Sequence, residues 1–141
     1  MQLSHNDENN FSLSRFESML KTNDVLFFDS AEFEDIINYY LENGKFALAK
    51  KAVKLGLAQH PTSTNLKLFK IEILVFEDKL DVAESMLTEL QQLESSNEEV
   101  YIQKAQILSK RDRHAKAIEV LEMALDITLD PAEIYSLIGM E

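Results

Sequence analysis

Residues 29–61 read DSAEFEDIINYYLENGKFALAKKAVKLGLAQHP, and two helices joined by a tight turn account for almost every residue in the stretch. Asp29 followed three positions later by Glu32 has the form of a capping box, in which each side chain takes up a backbone N–H that the helix leaves free. Phe33, Ile36, Ile37 and Tyr40 follow at helical spacing. Asn43-Gly44 ends this helix, because glycine accepts the left-handed backbone of a helix end without a steric penalty. The pattern predicts a second helix from about Lys45 to Gln59, and Pro61 blocks its continuation.

The same rhythm continues downstream. Ala49, Ala83 and Ala117 recur at one constant interval, and each lies the same distance after a turn residue, Gly44, Asp78 or Asp112. Val53, Leu87 and Leu121 follow, then Gly56, Leu90 and Ala124. A small residue lets the second helix of a pair press against the first, and the later positions fill the space one turn on. Turns are expected at Glu77-Asp78-Lys79 and Arg111-Asp112-Arg113, and Ser95-Ser96-Asn97 closes the second pair. Asp130-Pro131-Ala132-Glu133 reads as another capping box, with proline at the first helical position, where its missing N–H costs nothing.

This phase resembles the tetratricopeptide repeat family, whose unit is about 34 residues long with the pattern W-x2-L-G-x2-Y…A-x3-F…P. Phe33, Ile36, Ile37, Tyr40, Ala49, Val53 and Pro61 match it best, and Tyr101, Ala105, Leu108, Ala117, Leu121 and Ala124 match it again. Ala132 opens a fourth phase point, with Tyr135, Ile138 and Gly139 before the chain stops. The middle repeat departs from the pattern. Lys67 and Lys70 stand where an aromatic and an aliphatic residue are expected, Ser95 replaces the proline, and Lys104 is a similar departure in the third repeat. Either the lysine stems pack while their ammonium groups reach water, or the helix is rotated so that Leu66, Phe69, Ile73 and Phe76 form its apolar stripe.

The resemblance implies an all-α fold, a right-handed superhelical stack of antiparallel helix pairs. Residues 1–29 would form a tail and a short leading helix, and 30–141 the array, with repeats 30–63, 64–97, 98–131 and a partial repeat 132–141. Within the first segment, residues 1–10 read as a mobile tail and 12–22 as a helix carrying Leu13, Phe16, Met19 and Leu20, followed by the apolar run Val25-Leu26-Phe27-Phe28. The array stops inside a first helix, whereas solenoids ordinarily end in a polar capping helix. The expectation is therefore an N-terminal part of a longer repeat protein.

Composition limits the functions open to the chain. It has no cysteine, so thiolate metal sites and disulfides are excluded. The formal charge of −11, with only three arginines, repels nucleic acid and anionic membrane. No secretory leader is visible, and no apolar run approaches the roughly 20 residues that span a bilayer, so a cytoplasmic location is expected. His5, His60 and His114 lack metal-ligand spacing, and no phosphate-cradling glycine loop occurs. Acidic pairs at helix starts complement the helix dipole without any acid–base role. No enzyme activity, cofactor or metal is expected.

What remains is an interaction scaffold. Members of the resembled family use the first helices to line a concave face, which here implies a groove of Asn38, Leu41, Leu68, Phe69, Glu72, Val75, Phe76, Ile102 and Gln106, with Glu34, Glu42, Asn65, Glu99, Gln103 and Lys110 beside them. The apolar helix over 66–76 reads either as groove, receiving an apolar or amphipathic peptide, or as core covered by a neighbour such as Val25–Phe28. Of the positions with which some members grip a chaperone's C-terminal carboxylate, Asn38 alone matches. Glu34, Phe69, Glu99 and Gln103 hold the others, so a chaperone tail is not the expected partner. The expected partner is a protein or peptide. Alternatives are a regulatory arm of a larger enzyme or secretion assembly, and a self-associating module that dimerises through the open C-terminal half-repeat around Tyr135 and Ile138.

Overall fold

Eight helices follow one another in the computed structural model, which describes residues 5–22 and 24–141. They are α1 (His5–Lys21), α2 (Ser30–Glu42), α3 (Phe46–Gln59), α4 (Thr64–Phe76), α5 (Leu80–Leu93), α6 (Glu98–Lys110), α7 (His114–Leu125) and α8 (Pro131–Gly139). Among the described residues there is no strand, and no helix is long and apolar enough to cross a membrane. The expected tail is helical from His5 onward, and residues 1–4 lie outside the described residues. The polar composition that reads as tail belongs to a helix whose apolar stripe begins only at Phe11.

Three inter-helix turns share one hydrogen-bond pattern. The N–H groups of Lys45, Lys79 and Arg113 each donate to a carbonyl five positions back, on Tyr40, Leu74 and Leu108, at 2.8 Å. Those of Gly44, Asp78 and Asp112 donate to Leu41, Val75 and Ser109. This is the Schellman motif, whose penultimate residue must be left-handed. Gly44 (φ 69°), Asp78 (φ 60°) and Asp112 (φ 59°) are those residues.

The chain divides into two compact units between Lys70 and Ile71, within α4. In the first, α2 packs against α1 and α3 around an aromatic centre. The Phe16 ring lies 6.0 Å from Phe28, 6.4 Å from Phe33 and 6.1 Å from Tyr40. The capping box at Asp29 is formed, with Glu32 N–H donating to the Asp29 carboxylate at 2.7 Å and Asp29 N–H to Glu32 at 3.1 Å. The other oxygen of Glu32 accepts from Ser12 Oγ at 2.6 Å and ties α1 to the same corner. Residues 24–29 lie outside any helix, and burial alternates along them with the period of a strand-like backbone. Leu26 and Phe28 turn inward, while Val25 and Phe27 stand exposed.

In the second unit α6 packs against α5 and α7, and α7 against α8. Tyr101, Ala105, Leu108, Ala117, Leu121, Ala124 and Ile134 form its core. At the turn after α6, arginine side chains pair with carboxylates of α5. Arg111 bonds Glu84 at 2.6 Å and also Asp81, so this guanidinium is engaged within the unit rather than offered to an acidic partner. Lys104 is half-buried and donates to Gln91 at 2.8 Å, so its charge stays hydrogen-bonded. The capping box expected at Asp130 is not formed. Asp130 makes no side-chain cap bond, and its own N–H donates to Thr128 Oγ1 at 3.0 Å, leaving Pro131 alone to set the helix start.

Candidate functional site

Helix α4 is buried on two sides, Leu66 with Ile73 on one and Leu68 with Ile71 on the other. Between them Asn65, Phe69, Glu72 and Phe76 recur at helical spacing along one stripe. Asn65 and Glu72 are exposed, Phe69 is half-buried and Phe76 is 69% exposed. The rotated register is therefore correct for Leu66 and Ile73 and incorrect for Phe69 and Phe76. A helix with two buried sides has no room for a single broad apolar stripe, and Lys67 and Lys70 occupy its remaining edge.

In the second unit the C-terminal half of α4 joins α6 and α8 around an open groove of about 470 Å³. Glu72 and Val75 come from α4. From α6 come Glu99, Gln103, Gln106, Ile107, Ser109 and Lys110, and from α8 and the residues after it Leu137, Met140 and Glu141. The groove thus gathers Glu72, Val75 and Gln106 of the expected set. Leu68 and Ile102, at equivalent positions of successive repeats, are both turned into the interior, so neither adds to an open surface. Asn38 is exposed and Leu41 half-buried on α2, in the first unit.

Leu137 and Met140 are absent from the set expected from sequence, although the signal for them is present. They lie one repeat interval after Gln103 and Gln106, so the offset that places those two in the groove places these as well.

The electrostatics of the groove are uneven. Glu72 is exposed along much of its side chain, yet the atoms packed around its carboxyl raise it above the usual carboxylate range. The Glu99 carboxyl is also raised, first by burial and further by Glu133, Glu72 and Glu98, and a weak bond from Gln103 at 3.5 Å offsets part of this. Among the described residues, neither Glu72 nor Glu99 is paired with a cationic side chain. Glu141 differs, since its carboxylate meets His114 Nδ1 at 2.7 Å.

The Val25–Phe28 run is held inside the first unit. Gln59 reads its backbone twice, accepting from Phe28 N–H at 3.1 Å and donating to the Leu26 carbonyl at 2.8 Å. His60 Nε2 lies 2.7 Å from the Phe28 carbonyl, which can only accept, so that nitrogen carries the proton.

Comparison by sequence finds no matching family model and no matching curated protein. By structure the chain is similar to MamA, with a TM-score of 0.72 and 15% identity, over 99% of this chain and 84% of that one. A segment of MamA from Desulfovibrio magneticus RS-1 is also similar, with a TM-score of 0.64 and 14% identity, over 79% of this chain and 63% of that one. YrrB, described as a TPR protein with an unusual peptide-binding site, gives a TM-score of 0.73 and 16% identity, over 93% of this chain and 66% of that one. The fold of this chain is thus the helical-hairpin fold of tetratricopeptide repeat proteins.

Proposed function

We propose that this chain is a non-catalytic, cytoplasmic scaffold that holds a peptide or protein segment of a partner, and that the groove of α4, α6 and α8 in the second unit receives it. The groove itself carries the reading. Three successive first helices present side chains to one concavity at the repeat offset, and polar and apolar groups are interleaved along it. That mixture suits an extended or helical peptide better than a small compact ligand. YrrB is described as having a peptide-binding site, and the shared fold supports the same kind of use here. The net charge of −11 favours a protein partner over nucleic acid or an anionic membrane. Glu99 in the groove disfavours a chaperone's terminal carboxylate. On this reading 30–63, 64–97, 98–131 and 132–141 are the repeat units and 1–29 is a leading segment.

The test is selection from a random peptide display library on the purified full chain. Selected peptides should bind the native chain and lose affinity for Gln106→Trp, which fills the groove from an exposed position while circular dichroism stays unchanged. Peptides that bind both proteins equally, or a library that yields none, would sink the proposal.

Self-association through α8 is a second reading, supported by Tyr135 at 62% and Met140 at 77% exposure. Light scattering across a concentration series decides it, and a monomer throughout counts against it.

A further inference from the structure

Two carboxylates of the groove have no cationic partner among the described residues. Glu72 and Glu99 face it from two different helices, and Glu133 and Glu98 add to the negative field at Glu99. Beside them lies an apolar lining of Val75, Leu137 and Met140. The other carboxylate at the groove, Glu141, is already engaged by His114. The groove's cation, Lys110, is at the opposite end of α6 from Glu99, about 16 Å along the helix at 1.5 Å per residue. One end of the groove is therefore acidic, without a counter-charge among the described residues, and bordered by aliphatic surface.

We infer that the groove takes a cationic amphipathic peptide, one whose aliphatic side chain seats on Val75, Leu137 and Met140 while a flanking lysine or arginine lies between Glu72 and Glu99. This rests on the groove being the binding site and adds the chemistry of its occupant. An acidic peptide would meet two carboxylates that already repel each other. A neutral one would leave their negative field uncompensated. A cation offsets that field and donates charge-assisted hydrogen bonds to the carboxylate oxygens, which are stronger than neutral ones.

Fluorescence anisotropy on the full chain tests this with three labelled peptides of one length and spacing, in which two leucines are flanked by lysine, glutamine or glutamate. The lysine peptide should bind, with an affinity that falls as salt is added. The glutamine peptide should bind more weakly, and the glutamate peptide not measurably. Replacing Glu72→Gln and Glu99→Gln together should weaken the lysine peptide roughly tenfold while leaving the glutamine peptide unchanged. Glu119→Gln with Glu122→Gln, which removes the same charge from the exposed surface of α7, should leave the lysine peptide's affinity unchanged. Equal loss in that control would overturn the inference, since the attraction would then belong to the whole acidic chain. Equal binding of the lysine and glutamine peptides, both blocked by Gln106→Trp, would also overturn it while leaving the groove as a binding site. Failure of every peptide, including display-selected ones, would remove both.

Discussion

Asp78 and Asp112 hold the same left-handed backbone, at φ 60° and 59°, in turns one repeat apart, and Gly44 holds the third such turn at φ 69°. The Schellman hydrogen bonds force this conformation on whatever residue stands there. An L-residue pays for it with contact between its Cβ and the following carbonyl, which aspartate eases by its short polar side chain. Asp78→Gly and Asp112→Gly should each raise stability by up to about 1 kcal/mol, and Gly44→Ala should lower it by about as much. Urea midpoints of the three variants check the signs. Loss of stability in both aspartate variants would mean that their carboxylates do more at the turns than the geometry indicates.

Gly56 faces the Phe33 ring so closely that a Cβ at 56 would lie 3.1 Å from Cγ of Phe33 and 3.2 Å from Cδ1 of Leu66. A large ring of α2 and the smallest residue of α3 thus share one volume. Gly56→Leu should cost about 2–3 kcal/mol by overpacking. Trimming the ring with Phe33→Leu in the same chain should recover at least about 1 kcal/mol of that loss. Simple additivity of the two substitutions in chemical denaturation would show that their volumes are not coupled.

The Gln59 amide holds Leu26 and Phe28 by opposite ends. Gln59→Glu keeps the acceptor for Phe28 N–H but loses the donor to the Leu26 carbonyl, and Gln59→Ala loses both, at about 1 kcal/mol for each bond. Hydrogen exchange at the Phe28 amide should quicken in Gln59→Ala, while exchange in the core of α6 stays unchanged. Protection of Phe28 that survives Gln59→Ala would assign the fixing of residues 24–29 to ring packing alone.

Helix pairs and the positions that face inward are legible because small residues and turn residues recur on a fixed interval. Ala49, Ala83 and Ala117 are fully buried, and the three left-handed turn residues are those the interval marks. Less is legible where one helix meets surroundings on more than one side. In α4 periodicity alone does not distinguish a helix with one broad buried face from one with two narrow faces. It therefore groups Phe69 and Phe76 with Leu66 and Ile73, although they lie on another stripe. Polar composition similarly conceals the start of α1, and Asp130 carries a capping signature that its backbone (φ −130°, ψ 77°) does not use. Groove residues on α8 follow the same interval as those on α6. Their role depends on α8 packing against α7, which a list of positions does not convey.

Glu72 and Glu99 give the groove a pH signature whose sign is fixed. Both carboxyls are raised in the folded chain, each first by burial. A raised carboxyl contributes stability that is fully present below its unfolded value and is lost as pH rises through the folded one. Near neutral pH the native chain therefore carries two charges that folding disfavours. Glu99→Gln should be more stable than the native chain there, and the difference should shrink on acidification through the range above the ordinary carboxylate value. Because Glu72 is one source of the shift at Glu99, Glu72→Gln should lower the Glu99 titration midpoint, read by carboxyl-carbon NMR. Bound lysine peptide should lower it as well, since a cation favours the charged form. A Glu99 midpoint that moves with neither Glu72→Gln nor the peptide would mean that burial alone sets it and that no cation comes to lie between the two carboxylates.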